Sequence, residues 1–128
     1  MMKPSYLVDT DVLVDFFRGV EQAVAFVGQN SSSLVLSTIV IAELYAGARD
    51  EETTDLDDFF KLFLVYSVTP EIARSGGLLR RRYGKSHAVG LADALLAATA
   101  QQHGLALMTL NTKHFPMFAD LKPAYRKR

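Results

Sequence analysis

With 128 residues, 49% of them apolar, no cysteine, and 14 acids balanced by 14 bases, the chain reads as one globular domain of zero net charge. That composition excludes a disordered chain, a disulfide framework and a thiolate metal site, and no apolar run approaches the ~18 residues of a membrane span. The charge is nevertheless split: residues 1–58 carry 11 of the acids and residues 59–128 carry 11 of the bases, so one face suited to cations and another suited to anions is expected, unless the halves neutralise each other on folding.

The opening residues lack the basic head and apolar core of a signal peptide, and a reducing, cytoplasmic home is the expectation. Four short apolar runs predict strands at Tyr6–Val8, Leu34–Leu36, Val65–Val68 and Leu105–Leu110. None alternates cleanly, which suits strands buried on both faces of a parallel sheet. A helix carrying Asp11 and Asp15 follows the first strand. Further helical patterns are "STIVIAELYAGAR" from Ser37 and "DLDDFFKLFL" from Asp55. Another starts at "TPEIARS", with Thr69 as N-cap and Pro70 as first helical residue. The last, "LADALLAATAQQHG", stops at Gly104, with His103 favourably placed in its final turn. Alternating strands and helices predict right-handed crossovers and a helix-covered sheet within a single domain, residues 1–128. Residues 122–128, "KPAYRKR", read as a basic, mobile tail.

The stretch "SYLVDTDVLVD" (residues 5–15) places Asp9, Asp11 and Asp15 in the most strand-like opening segment. In a parallel sheet, ligands gather at the carboxyl ends of the strands, and Asp9 follows strand one directly. Asp11 and Asp15, four apart, would share a helix face, as a helix-start acid and a solvated acid. Glu43 has only Ile39, Val40, Ala46 and Gly47 at helical spacing, so nothing on its own helix can pair with it. Asp93 lies near the start of an alanine-leucine helix apolar nearly all round. "LALMTLNTKHF" brings Asn111 to the carboxyl end of the last strand. Asp9, Glu43, Asp93 and Asn111 thus stand at ends of elements that should converge. Carboxylates crowded together repel strongly, and a hard divalent cation with oxygen ligands, Mg²⁺ or Mn²⁺, relieves that. Zinc fits poorly, for His87, His103 and His114 lack ligand spacing.

"LVDTDVLVDFFRG", "STIVIAELYAG" and "GLADALLAATAQQHGLALMTLNTKHFP" resemble, in order and spacing, the PIN-domain ribonucleases, specifically the VapC toxins of prokaryotic toxin–antitoxin pairs. The resemblance implies an α/β, PIN-like fold: a short central parallel sheet of four to five strands, flanked by helices on both faces. It implies that Asp9, Glu43 and Asp93 form the metal-binding acidic cluster and that Asn111 fills the fourth catalytic position, where many relatives have aspartate. His114 stands where relatives often have another acid, and reads as a turn residue packing beside Phe115. The implied activity is Mg²⁺- or Mn²⁺-dependent hydrolysis of RNA phosphodiesters by in-line attack of water. The implied partners are RNA, a second copy in a homodimer, and a VapB-like antitoxin in a larger complex.

"LLRRRYGKSH" (residues 78–87) suits that substrate: Arg80, Arg81, Arg82 and Lys85 can hold phosphates and Tyr83 can stack on a base. The bland reading is a wet helix end pairing with the acids of "DEETTDLDD". Two rival functions follow from the residues. "YLVDTDVL" also matches the start of haloacid-dehalogenase-like phosphatases, with Asp9 as nucleophile, but no close acidic pair follows residue 58. A non-catalytic PIN-like binding module is the other.

Overall fold

The computed structural model describes residues 5–127. Its centre is a four-stranded parallel sheet made of β1 (Tyr6–Val8), β2 (Leu34–Ser37), β3 (Leu64–Tyr66) and β4 (Ala106–Met108), in the spatial order β3-β2-β1-β4. Tyr6 pairs with Leu34 on one side and with Ala106 on the other, while Ser37 pairs with Tyr66. Successive side chains of a strand point to opposite faces. All four residues of β2 are buried, as are Leu7 and Val8 of β1, so both faces are covered. That is why these runs read as continuously apolar.

Six helices do the covering: α1 (Thr10–Phe17), α2 (Glu21–Asn30), α3 (Thr38–Gly47), α4 (Thr53–Phe60), α5 (Pro70–His87) and α6 (Leu91–His103). Their starts follow the expected capping chemistry. Ser37 Oγ accepts from the Ile39 amide at 3.1 Å, and Thr69 Oγ1 accepts from the Ile72 amide at 3.2 Å with Pro70 behind it. α6 ends at Gly104, whose φ of +63° is the left-handed conformation glycine adopts without strain. α5 and α6 pack closely: a Cβ on Gly76 would stand 2.6 Å from Leu95 Cδ2 and 3.1 Å from Leu95 Cα. None of the described helices is long and apolar enough to cross a membrane.

The connections of β1 and β4 create the site. From β1 the chain steps to β2 and β3 on one side, then returns to lay β4 against the other. The crevice at the carboxyl ends of β1 and β4 is the switch point at which open α/β sheets bind ligands.

Several expectations need correction. α2 was not anticipated, because "EQAVAFVGQN" mixes valines and a glycine and buries only Ala23 and Val27. β3 ends two residues early, since the Val68 amide donates to the Thr38 hydroxyl at 3.3 Å instead of to a neighbouring strand. β4 stops at Met108, where Thr109 turns its hydroxyl to Asp9. The tail is not loose as far as residue 127. The Ala124 amide donates to the Thr109 carbonyl at 2.9 Å, Tyr125 Oη donates to Asp15 Oδ2 at 2.8 Å, and Lys127 Nζ lies 3.1 Å from the same oxygen. Asp15 is therefore buried and paired rather than solvated.

Tyr125→Phe removes one of the donors to that buried carboxylate. It should lower stability by roughly 1–3 kcal/mol, measured by urea unfolding. An unchanged midpoint would show that the tail contributes nothing to the fold.

Candidate active site

Asp9 leaves β1 and caps α1. Its backbone amide continues the sheet ladder to the Met108 carbonyl (2.9 Å), while Oδ1 accepts from the Thr10 amide (2.7 Å) and Oδ2 from the Thr109 hydroxyl (2.7 Å). Asp9 as a whole is 7% exposed. Burial, then the charge of Asp11, pushes its pKa up to about 7; the bonds from Thr109 and Thr10 oppose this, and Asp93 adds to it. Asp11, in the first turn of α1, accepts from the Leu110 amide at 2.9 Å through Oδ2. Its Oδ1 is buried and has no hydrogen-bond partner. Burial raises the Asp11 pKa as well, against the bonds from Leu110, Val12 and Thr109.

α3 brings Glu43 to the same edge. The carboxylate is exposed, and the Thr10 hydroxyl donates to Oε1 at 2.6 Å. Nothing on its own helix pairs with Glu43, as expected; the partner comes from α1. Asp93 is the third residue of α6, where the helix dipole favours an acid. Its pKa is raised by burial, held back by His114, and raised again by Glu43 and Asp11. His114 is more than a turn residue beside Phe115: Nδ1 stands 3.3 Å from Asp93 Oδ2.

The fold thus draws Asp9, Asp11, Glu43 and Asp93 into mutual electrostatic reach from β1, α1, α3 and α6. Among the described residues, no three His, Asp or Glu side chains are arranged to hold a metal ion together. Each carboxylate instead faces a local partner: Asp9 the Thr10 amide and Thr109 hydroxyl, Asp11 the Leu110 amide, Glu43 the Thr10 hydroxyl and Asp93 the His114 ring. Asn111 opens the short 3-10 turn Thr112–His114 at the β4 exit. Its amide donates to Thr109 Oγ1 at 3.1 Å, and its side chain is exposed. Thr109 escaped the sequence reading. A buried hydroxyl in "MTLN" has no distinguishing pattern, although its place just before Asn111 was the available signal.

Arg80, Arg81, Arg82 and Lys85 are exposed along the C-terminal half of α5, and among the described residues none forms an ion pair. The pairing with the acids of residues 50–58 does not occur. Arg82 lies over the Tyr83 ring, 5.2 Å from its centroid. Only Ala88, Val89 and Gly90 separate this basic helix end from α6 and Asp93. A separate open groove of about 620 Å³ has Val14, Phe17, Leu44 and Leu56 in its wall, Leu44 being the residue after Glu43, with Arg18 and Arg49 at its side.

The PIN domain family model matches residues 6–121. The chain is 42% identical over 123 residues to a protein named ribonuclease VapC19 from Mycobacterium tuberculosis, covering 93% of this chain and 98% of that protein. It is likewise 42% identical over 122 residues to ribonuclease VapC10 of the same organism, covering 93% and 92%. Among solved structures, a toxin–antitoxin complex from Klebsiella pneumoniae superposes with a TM-score of 0.78 at 28% identity, covering 95% of this chain and 99% of that one. DNA-bound VapBC from Salmonella typhimurium shares the fold with a TM-score of 0.75 at 20% identity, covering 94% and 96%.

The raised Asp9 pKa has a consequence for stability. The folded protein keeps this proton up to about pH 7, whereas the unfolded chain releases it near the ordinary value of 3.8. The stabilisation is full below about pH 4 and is lost as pH rises towards 7. Metal-free protein should therefore be more stable at pH 5 than at pH 8, by on the order of a few kcal/mol. Asp9→Asn should flatten that slope. Chemical denaturation in the presence of chelator measures it, and stability rising across the window would mean that Asp9 is held as an anion.

Proposed function

The chain belongs to the PIN-domain family, and from that premise we propose that it is a divalent-metal-dependent endoribonuclease of the VapC type, the toxin of a toxin–antitoxin pair. The observation that carries this reading is the gathering of Asp9, Asp11, Glu43 and Asp93 at the switch point of the sheet, met only by hydroxyls, amides and one imidazole. The carboxylate oxygens suit a hard cation, and the partnerless buried oxygen of Asp11 marks a site short of positive charge. We assign Asp9, Glu43 and Asp93 to holding Mg²⁺ or Mn²⁺. Mg²⁺ usually keeps several waters and is held by one or two carboxylates, so the chain has no need of a closed three-carboxylate cage. When bound, such an ion supplies charge stabilisation for the scissile phosphate and activation of water.

The chain's own residues have the remaining tasks. Thr109 aims Asp9, and Thr10 keeps Glu43 at the cluster. To Asn111, neutral and exposed, we assign donation to a phosphate oxygen. Arg80, Arg81, Arg82 and Lys85 hold the RNA backbone on either side of the cut, and Tyr83 offers a ring for stacking. Water attacks the phosphorus in line and the opposite P–O bond breaks. The antitoxin partner is supported by the relatives solved as toxin–antitoxin complexes. The groove beside Phe17 is the seat we assign to it, and a homodimer is the expected form of the toxin.

The direct test incubates cellular RNA with the protein and Mg²⁺ or Mn²⁺ and maps the ends. Wild type should cut. Asp93→Asn should lose at least about a hundredfold in rate while its metal-free fold is as stable or more so, because one repelling charge is gone. The product of a neighbouring antitoxin gene should suppress cutting, and Phe17→Asp should cut normally but escape suppression. Intact RNA with the wild type would sink the nuclease reading, and free phosphate from small phosphoesters would favour a phosphatase.

Replacing Arg80, Arg81 and Arg82 by Gln should weaken RNA binding and make its salt slope shallower by up to about 3. A slope identical to that of the wild type would put the RNA path elsewhere.

A further inference from the structure

Beyond β4 the chain follows a fixed path, and that path runs beside the acids. It turns at Asp120, whose φ of +58° is the left-handed conformation open to aspartate. Pro123 then restricts Lys122 to extended backbone. The Ala124 amide donates to the Thr109 carbonyl at 2.9 Å, and the Thr109 hydroxyl donates to Asp9 Oδ2 at 2.7 Å. Tyr125 Oη donates to Asp15 Oδ2 at 2.8 Å, its ring packs against Phe26 with centroids 6.0 Å apart, and Lys127 pairs with the same carboxylate. Lys122 and Arg126 are left exposed and, among the described residues, form no ion pair. Two residues of chain span at most about 7 Å, so both Cα atoms lie within that distance of Ala124 Cα. Lys113, on the turn Thr112–His114, is likewise exposed and without an ion pair among the described residues. It shares with Asn111 and His114 the wall of an open cavity of about 170 Å³, and its neighbour His114 stands 3.3 Å from Asp93 Oδ2. Bases that served to neutralise the acidic cluster would pair with Asp9, Asp11, Glu43 or Asp93, and these three do not.

Resting on the RNA-cleaving reading, we propose that Lys113, Lys122 and Arg126 form a second anchorage for the RNA backbone, distinct from that of α5. Each is a charge carried on fixed backbone beside the carboxylates and left to water. A phosphodiester chain offers one negative charge per nucleotide, and basic side chains on the phosphates set its register and orientation. Arg126 presents two parallel N–H groups to a phosphate, while Lys113 and Lys122 act as point charges. The α5 bases adjoin the site through residues 88–90 and the start of α6, which carries Asp93. The tail bases adjoin it through Thr109, which holds Asp9. A strand gripped at both places is fixed against sliding, which neither patch achieves alone. An acidic protein segment would also meet these charges; RNA is favoured because none of the three lines the groove beside Phe17.

Binding is read with an end-labelled single-stranded RNA of mixed sequence and Mg²⁺, on an Asp93→Asn background so that the RNA stays whole. Replacing Lys113, Lys122 and Arg126 together by Gln should weaken binding at least about tenfold at about 0.1 M salt and make the salt slope shallower by up to about 2. Lys61→Gln, an exposed base ahead of the far edge strand β3, should bind like the background, and melting curves check that every variant is folded. The chain has no cysteine, so Arg126→Cys and Arg81→Cys each carry a single photo-crosslinker, and both should capture the RNA, at different nucleotides. Unchanged affinity and slope in the triple variant, or capture from residue 81 but none from residue 126, overturns the second anchorage; wild type that still cuts cellular RNA leaves the nuclease reading standing. A triple variant that binds RNA normally but escapes the antitoxin overturns it too, and gives the patch to that protein. Wild type that neither binds nor cuts RNA removes the nuclease reading and this proposal together.

Discussion

Repulsion among carboxylates at the exit of two adjacent parallel strands is the constraint around which this molecule is arranged. Asp9 and Asp11 are drawn into the protein, Asp93 is half-buried beside them, and each raises the cost of ionising another. Two threonine hydroxyls and the amides of Thr10 and Leu110 ease that cost without filling the space between the acids. Among the described residues no lysine or arginine forms an ion pair with these acids. Lys127 is given to Asp15, Arg49 to Glu51 and Glu52, and the arginines of α5 face solvent.

Thr109 is the joint of the site. Its hydroxyl donates to Asp9 at 2.7 Å with Asp11 Oδ2 farther off at 3.4 Å, the same oxygen accepts from the Asn111 backbone amide, and its carbonyl accepts from the Ala124 amide. The end of β4, the turn that carries His114, and the C-terminal tail therefore meet at one buried residue. The tail reaches on to Asp15, a turn along α1 from Asp11. Helix α1 is thus fastened at its cap by Asp9 and in its second turn by the Tyr125–Asp15 bond, with the acid of its first turn held between.

The uneven distribution of charge along the chain survives folding. Lys127–Asp15 is the one Lys or Arg ion pair among the described residues that joins the basic half to the acidic half. Opposite signs are thus kept apart on one small domain, bases along the exposed face of α5 and acids at the sheet edge. Only three residues link the basic end of α5 to the start of α6, which carries Asp93.

Much of this was legible in the residues alone. Tyr6–Val8 has the predicted bounds, Thr69 and Pro70 start a helix, and Gly104 ends one, because strand burial and capping are local chemistry acting over a few residues. Asp9 after β1 and Asp93 in the first turn of α6 stand where local chemistry places acids, whereas Glu43 lies midway along α3 and has no such local mark. α2 was not legible, since its weakly apolar face gains its stability from packing rather than from its own pattern. Nor was any contact that joins distant parts of the chain: Thr109 with Asp9 across 100 residues, Tyr125 with Asp15 across 110, Thr10 with Glu43 across 33, His114 with Asp93. Sequence by itself determined which residues cap, which span the sheet and where acid is concentrated. Tertiary structure alone decided which hydroxyl or ring each acid meets, because such partners are selected by proximity in the folded chain, and nothing in their local sequence marks them.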